Sequence, residues 1–179
     1  MRIALTGTHR VGKTTLGEEI AENLPSYDFK SEPYIQLEET GYLFSEIPTV
    51  DDYIEQFYYS VKQLENSQNN VIFDRCPLDM LAYIYAINKT ENIQTLYEEM
   101  TNAMSQIDLL VFVPIERPDL ILCQDSDLPK LRHEVNDILQ NWITDLSNEI
   151  LEVNGTLEDS KKQLLDKIHK GNEMKKTLL

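Results

Sequence analysis

The chain has 179 residues, 41% of them apolar, and a formal net charge of −15. This length suits one domain with a single substantial core, the apolar share excludes a disordered chain, and the acidic surface argues against a nucleic-acid or membrane partner. Two cysteines without CxxC spacing and three histidines suggest neither a disulfide framework nor a zinc site, and no apolar run approaches the about twenty residues of a membrane span, so a cytoplasmic protein without a leader is expected.

Residues 2 to 6 read as a short buried strand. Leu16, Ile20 and Leu24, separated by polar Glu18, Glu19, Glu22 and Asn23, read as an amphipathic helix. Between them Gly7, Thr8, His9, Arg10, Val11, Gly12, Lys13, Thr14 and Thr15 complete the pattern GxxxxGK(S/T). Such a loop turns consecutive backbone N–H groups toward a polyphosphate. Lys13 then reaches the outer phosphates, the Thr14 hydroxyl is placed to ligate Mg²⁺, and the helix N-terminus adds its positive end. The segment predicts binding of a nucleoside triphosphate. A glycine turn that binds nothing is the competing reading, and the order strand, loop, helix speaks against it.

Asp28 to Tyr34 is expected as a second strand ending in Glu32-Pro33, Ile35 to Ser45 as a weak helix, and Asp51 to Gln68 as a stronger one. On the last, Tyr53, Ile54, Phe57, Tyr58, Val61 and Leu64 share a face. Val71 to Phe73 enters a strand that closes at Asp74-Arg75, and Pro77 opens a helix through Leu81, Ile84 and Tyr85. A helix over Asn92 to Ser105 precedes the most apolar strand, Leu109 to Val113, which Pro114 ends. Residues 115 to 128 read as a mobile loop. The helix from Pro129 carries an apolar stripe of Leu131, Val135, Ile138, Trp142 and Leu146. Ile150 to Val153 follows as a last strand, Asn154 to Thr156 as a turn and Leu157 to Lys170 as a final helix. Strands separated by helices imply crossovers, hence an α/β fold: a parallel sheet of about five strands with helices on both faces.

The cations divide into two groups. Arg10, Lys13, Arg75, Arg117, Lys130 and Arg132 fall in or beside predicted loops and form the candidate anion site. Lys161, Lys162, Lys167, Lys170, Lys175 and Lys176 crowd the C-terminal helix and are expected as a solvated face. Asp74, at the end of a strand, occupies the place where a phosphate-loop protein keeps the carboxylate that holds Mg²⁺ directly or through water. Glu32, beyond the second strand, is where an open α/β sheet places its site, and it can accept a proton from a hydroxyl nucleophile. A solvated loop glutamate is the alternative. Arg117, Lys130 and Arg132 lie in an acidic segment expected to close as a lid around residues 115–132, delivering positive charge to a transferring phosphoryl group, with Arg132 foremost. Ordinary surface charge is the competing explanation. Asp79 reads as a first-turn carboxylate that favours its helix dipole, and His9 occupies a variable position of the loop with no catalytic role expected.

The order GTHRVGKTT, SEPY, VIFDRCPLD, DLPKLRHEV and EVNGT resembles the nucleoside and nucleotide kinase group of P-loop proteins. It is most similar to small bacterial AAA-type ATPases similar to ribosylnicotinamide kinase, and more distantly to deoxynucleoside and thymidylate kinases. The resemblance spans nearly the whole chain and implies a three-layer P-loop fold, ATP and Mg²⁺ as cofactors, and transfer of the γ-phosphoryl to a small nucleoside, nucleotide or related acceptor. It implies Glu32 near the acceptor hydroxyl, Asp74 and Arg75 at metal and acceptor, and Arg132 on the donor phosphates. It places Asn154, Gly155 and Thr156 beside the adenine. Deoxynucleoside kinases carry Glu-Arg-Ser where this chain has Asp74-Arg75-Cys76. Either Glu32 or Asp74 is expected to act as the base, and a homodimer is possible. A switch GTPase would need DxxG and NKxD; Asn88-Lys89-Thr90-Glu91 ends in the wrong residue, and none of the six glycines follows an Asp by three positions. A regulatory ATPase acting through a protein partner is the other rival, with Phe57, Tyr58 and Tyr59 as its candidate surface.

Overall fold

The computed structural model describes residues 1–119, 121 and 123–177, residues 172–177 by backbone alone. Five strands form one sheet: β1 (Arg2–Thr6), β2 (Asp28–Lys30), β3 (Val71–Asp74), β4 (Leu109–Phe112) and β5 (Glu149–Glu152). Their order is β2-β3-β1-β4-β5 and all four pairings are parallel, with Ile3 opposite Ile72 on one side and Leu109 on the other. The connections are α1 (Lys13–Asn23), α2 (Pro33–Glu39) with α3 (Val50–Asn66), α4 (Pro77–Ile87) with α5 (Gln94–Met104), and α6 (Pro129–Trp142). The helix α7 (Leu157–Thr177) closes the chain. The α/β architecture expected from the alternation of elements is therefore the one found.

Strand alternation decides which helices each residue meets. Ala4, Phe73, Leu110 and Phe112 point to one face, where they pack with Phe57 of α3, Leu81 of α4, Met100 of α5 and Leu139 of α6. Ile3, Leu5, Ile72 and Val111 point to the other, against Leu16 and Ile20 of α1 and Leu164 and Ile168 of α7. Both faces of the central strands are buried, so these strands read as unbroken apolar runs. All three central strands end at the same edge of the sheet, and the residues immediately after them form the site.

Several boundaries differ from the sequence expectation for local reasons. The second strand stops at Lys30, because Pro33 takes the first position of α2, and α2 ends before Gly41 at φ 93°. Thr49 caps α3, exchanging bonds with Asp52, so that helix starts one residue earlier than its acidic pair suggested. Tyr58, expected on the apolar face, is 40% exposed, whereas Phe57 beside it is fully buried. The loop expected over 115–128 contains a 3-10 turn at Asp125–Asp127, and Leu120 and Leu122 lie outside the described residues. Leu146 falls beyond α6, after a second 3-10 turn at Ile143–Asp145. The final helix runs through Gly171 instead of ending at Lys170. Its lysines are not all solvated: Lys161 Nζ lies 2.9 Å from Glu19 Oε2 of α1, and Lys167 pairs with Glu149 of β5. The side chains of Lys175 and Lys176 lie outside those described. Among the described residues no helix is long and apolar enough to cross a membrane.

Candidate active site

The loop from Gly7 to Gly12 joins β1 to α1 at the carboxyl edge of the sheet. Two of its positions demand glycine. A Cβ on Gly7 would come within 2.4 Å of the Val113 carbonyl oxygen, and Gly12 turns the chain into α1 at φ 84°. Lys13 is only 5% exposed, and its Nζ donates to the Thr8 carbonyl at 2.6 Å. Burial and the nearby Arg75 lower its pKa to about 8, against the pull of Asp79, Asp74 and Glu32.

Behind the loop, the end of β3 supplies two adjacent residues. Asp74 is fully buried; its Oδ2 accepts the Thr14 hydroxyl at 2.5 Å while its Oδ1 has no hydrogen-bond partner among the described residues. Burial raises its pKa despite Lys13, Thr14 and Arg75. An orphaned carboxylate oxygen beside a threonine hydroxyl fits a hard cation that takes the rest of its shell from water and phosphate, as Mg²⁺ does. Among the described residues no cluster of three or more His, Cys, Asp or Glu could hold a metal by itself.

Arg75 adopts a left-handed backbone conformation at φ 75°, and its side chain reaches the loop. Its Nε donates to Glu32 Oε2 at 2.7 Å, its Nη1 to the Gly7 carbonyl at 3.4 Å, and its guanidinium lies 5.5 Å from the centre of the Tyr83 ring. Burial by itself would raise the Glu32 carboxyl, but the Arg75 charge and hydrogen bond together hold it below the usual range. Glu32 is thus an ionised base candidate at neutral pH.

Sequence reasoning missed two residues of α4 that hold the loop from below. Asp79 is fully buried, with Oδ1 accepting from the Gly7 N–H at 2.9 Å and Oδ2 from the Cys76 N–H at 3.0 Å. The spacing from Cys76 to Asp79 signals the cap at the start of α4, but nothing in it signals Gly7. One turn on, the Tyr83 hydroxyl accepts from the His9 N–H at 2.9 Å and meets His9 Nδ1 at 2.7 Å. His9 Nε2 lies 2.6 Å from the Asp127 carbonyl, so Nε2 donates there, and Tyr83 donates to Nδ1. Burial takes the imidazole down to a pKa of about 4, with the charges of Arg75, Lys13 and Arg132 adding to it; the ring is neutral at pH 7.

Arg132, expected on a mobile segment, sits in the first turn of α6 and is 1% exposed. It pairs with Asp119, and its Nε donates to the His9 carbonyl at 3.1 Å. Arg10 Nη1 lies 2.9 Å from Asp127. The segment between β4 and α6 is thereby tied to the phosphate loop directly at Asp127, by His9 and Arg10, and indirectly at Asp119 through Arg132. Arg117 and Lys130 are exposed. Phe57 is in the core, and Tyr59 bonds to Gln36, so Phe57, Tyr58 and Tyr59 form no common surface.

Two cavities flank the loop. One, of about 350 Å³, is bordered by Val11, Gly12 and Thr15, by Arg132, and by Asn154 to Thr156 after β5. The other, of about 390 Å³, is bordered by His9, Arg10, Glu32, Arg75, Tyr53 and Tyr83. All the residues expected at the site therefore border the loop or one of these cavities, except the exposed Arg117 and Lys130.

This sheet order, loop and pair of cavities define a P-loop protein of nucleoside and nucleotide kinase-like fold. The chain belongs to the AAA domain family, whose sequence model matches residues 2–159. Among solved structures it is similar to deoxyadenosine kinase from M. mycoides with dCMP and dCDP bound, at TM-score 0.68 and 17% identity over 95% of this chain and 99% of that one. Thymidylate kinase from Ehrlichia chaffeensis matches at TM-score 0.70 and 12% identity, covering 94% and 98%. NadR in complex with NAD and AMP-PNP matches at TM-score 0.68 and 17% identity over 92% of this chain but only 48% of NadR. A search of curated protein sequences finds no significant match.

Proposed function

We propose that this protein is a phosphotransferase that moves the γ-phosphoryl of ATP to a small nucleoside, nucleotide or related acceptor. The observation that carries this reading is the pair of cavities on opposite sides of one phosphate loop. A hydrolase needs one organic pocket, whereas transfer between two organic substrates needs two. Kinases of nucleosides and nucleotides among the structures of similar fold support it.

In this reading the loop amides and Lys13 hold the donor phosphates, and the cavity beside Asn154, Gly155 and Thr156 takes the adenine. Thr14 and Asp74 would hold Mg²⁺, which supplies neutralisation of the phosphate oxygens as charge shifts during transfer. Glu32 accepts the proton of the acceptor hydroxyl, with Asp74 as the other candidate, and Arg75 orients both Glu32 and the acceptor. Arg132 lies against the loop from the donor side, and we assign residues 115–132 as the lid, with the first turn of α6 and the buried Arg132 as its fixed end. Catalysis of this kind is positioning and charge stabilisation. The test is ADP release measured against a panel of nucleosides, nucleoside monophosphates and pyridine ribosides. Acceptor-dependent ADP release is expected; release that responds only to an added protein would instead select the regulatory ATPase.

A further inference from the structure

The cavity on the Glu32 side carries two cations, Arg10 and Arg75, against three anions, Glu32, Glu46 and Asp127. Both cations are already engaged, Arg10 by Asp127 at 2.9 Å and Arg75 by Glu32 at 2.7 Å. Asp79 stands a further 3.8 Å from the Arg75 guanidinium. His9, on the same wall, is neutral near pH 7 because burial lowers its pKa to about 4. The walls are otherwise aromatic. Tyr53 stacks on Tyr83 with centroids 4.7 Å apart and planes within 6°, and Tyr34 on Phe44 with centroids 4.3 Å apart.

A phosphomonoester brings a charge of about −1.5 to −2 at pH 7. In this cavity it would have to break an existing ion pair or sit against a wall with excess negative charge, inside a protein whose net charge is −15. A planar heterocycle meets no such obstacle, because stacked rings offer it apolar faces. Resting on the phosphotransferase reading above, we infer that the acceptor is an alcohol joined to a planar ring and carrying no phosphate: a nucleoside-type compound and not a nucleoside monophosphate. In the reaction the hydroxyl oxygen bonds to the γ-phosphorus, the bond from that phosphorus to the bridging oxygen breaks, ADP leaves, and the hydroxyl proton passes to a carboxylate of this wall. The product is itself a phosphomonoester, so the same wall that refuses phosphorylated acceptors helps to expel it.

The test pairs adenosine, thymidine and a pyridinium riboside, each with its own 5′-monophosphate, in an assay of ADP release. The kcat/KM of the preferred riboside is expected to exceed that of its monophosphate by about 100-fold or more, the scale of an uncompensated like-charge contact. A monophosphate used as well as its riboside overturns this inference and leaves the phosphotransferase reading standing. No acceptor-dependent ADP release with any of the compounds, in a protein that Mg-ATP protects from melting, overturns both. One variant isolates the electrostatic cause. Glu46→Lys, at the exposed rim of the cavity, should narrow the ratio of riboside to monophosphate by about tenfold, and an unchanged ratio would remove the basis of the inference.

Discussion

Lys13 is a charge that the fold holds at a cost. Its pKa of about 8 lies below the ordinary 10.5 because burial and Arg75 oppose the ammonium, and the Thr8 carbonyl and three carboxylates compensate only in part. Lys13→Ala should therefore abolish phosphoryl transfer without lowering the thermal midpoint of the unliganded protein by more than about 2 °C, as read by calorimetry. Glu32 and Asp74 separate as candidate bases by their partners. If Glu32 takes the proton, Glu32→Gln lowers kcat by about 10²–10⁴ with the Mg²⁺ requirement unchanged. Asp74→Asn would instead raise the Mg²⁺ concentration needed for half-maximal rate. A full kcat in Glu32→Gln together with loss in Asp74→Asn would move the base to Asp74. His9 gives a pH signature with a definite sign. Its pKa falls from 6.5 to about 4 on folding, so the unfolded chain binds more protons between those values. Its contribution to stability is complete above pH 6.5 and is lost as pH falls toward 4. Urea unfolding at pH 7.5 and pH 5 should show a smaller loss for His9→Gln than for the unaltered protein.

Among the elements, α4 does the most to shape the loop. Pro77 starts it, Cys76 and Asp79 close its first turn, and the face that carries Asp79 carries Tyr83 four residues later, both turned toward the loop. Asp79→Ala leaves two buried N–H groups, of Gly7 and Cys76, without acceptors, and should cost about 2–4 kcal/mol in denaturant titrations. Tyr83→Phe keeps the ring stacked on Tyr53 and removes only the hydroxyl. It should cost about 1 kcal/mol and raise the KM for ATP through the freed His9 segment. The separate contribution of α3 is its cap. Thr49→Ala should lower stability by about 1 kcal/mol without touching the KM for ATP, because the Thr49–Asp52 exchange lies away from the loop.

At the scale of the molecule, a strongly anionic protein concentrates positive charge at one edge of its sheet. Arg75, Lys13 and Arg132 come from the end of β3, the start of α1 and the start of α6, and all three are buried around the phosphate loop. Each already has an anionic or carbonyl partner: Glu32 for Arg75, the Thr8 carbonyl for Lys13 and Asp119 for Arg132. The site is thus internally compensated, and in the proposed reading the phosphates of ATP would take over these partners. The ties of His9 and Arg10 to Asp127, and of Arg132 to the His9 carbonyl, join the phosphate loop to the segment that borders both cavities.

The phosphate loop, the alternation of strands with helices and the carboxylates at strand ends were legible because each depends on residues close together in the chain. Periodicity of two or of three to four, and the spacing of two glycines, a lysine and a threonine, are local properties. Asp79 and Tyr83 were not legible, since their partners Gly7 and His9 lie 72 and 74 residues away and meet them only because β3 lies beside β1. The same holds for Arg132, expected as a cation delivered by a closing lid, which its bond to the carbonyl of His9, 123 positions earlier, made a buried part of the loop's support. Backbone pattern follows from neighbours along the chain; the partner of a buried charge follows from strand order, which no short segment encodes.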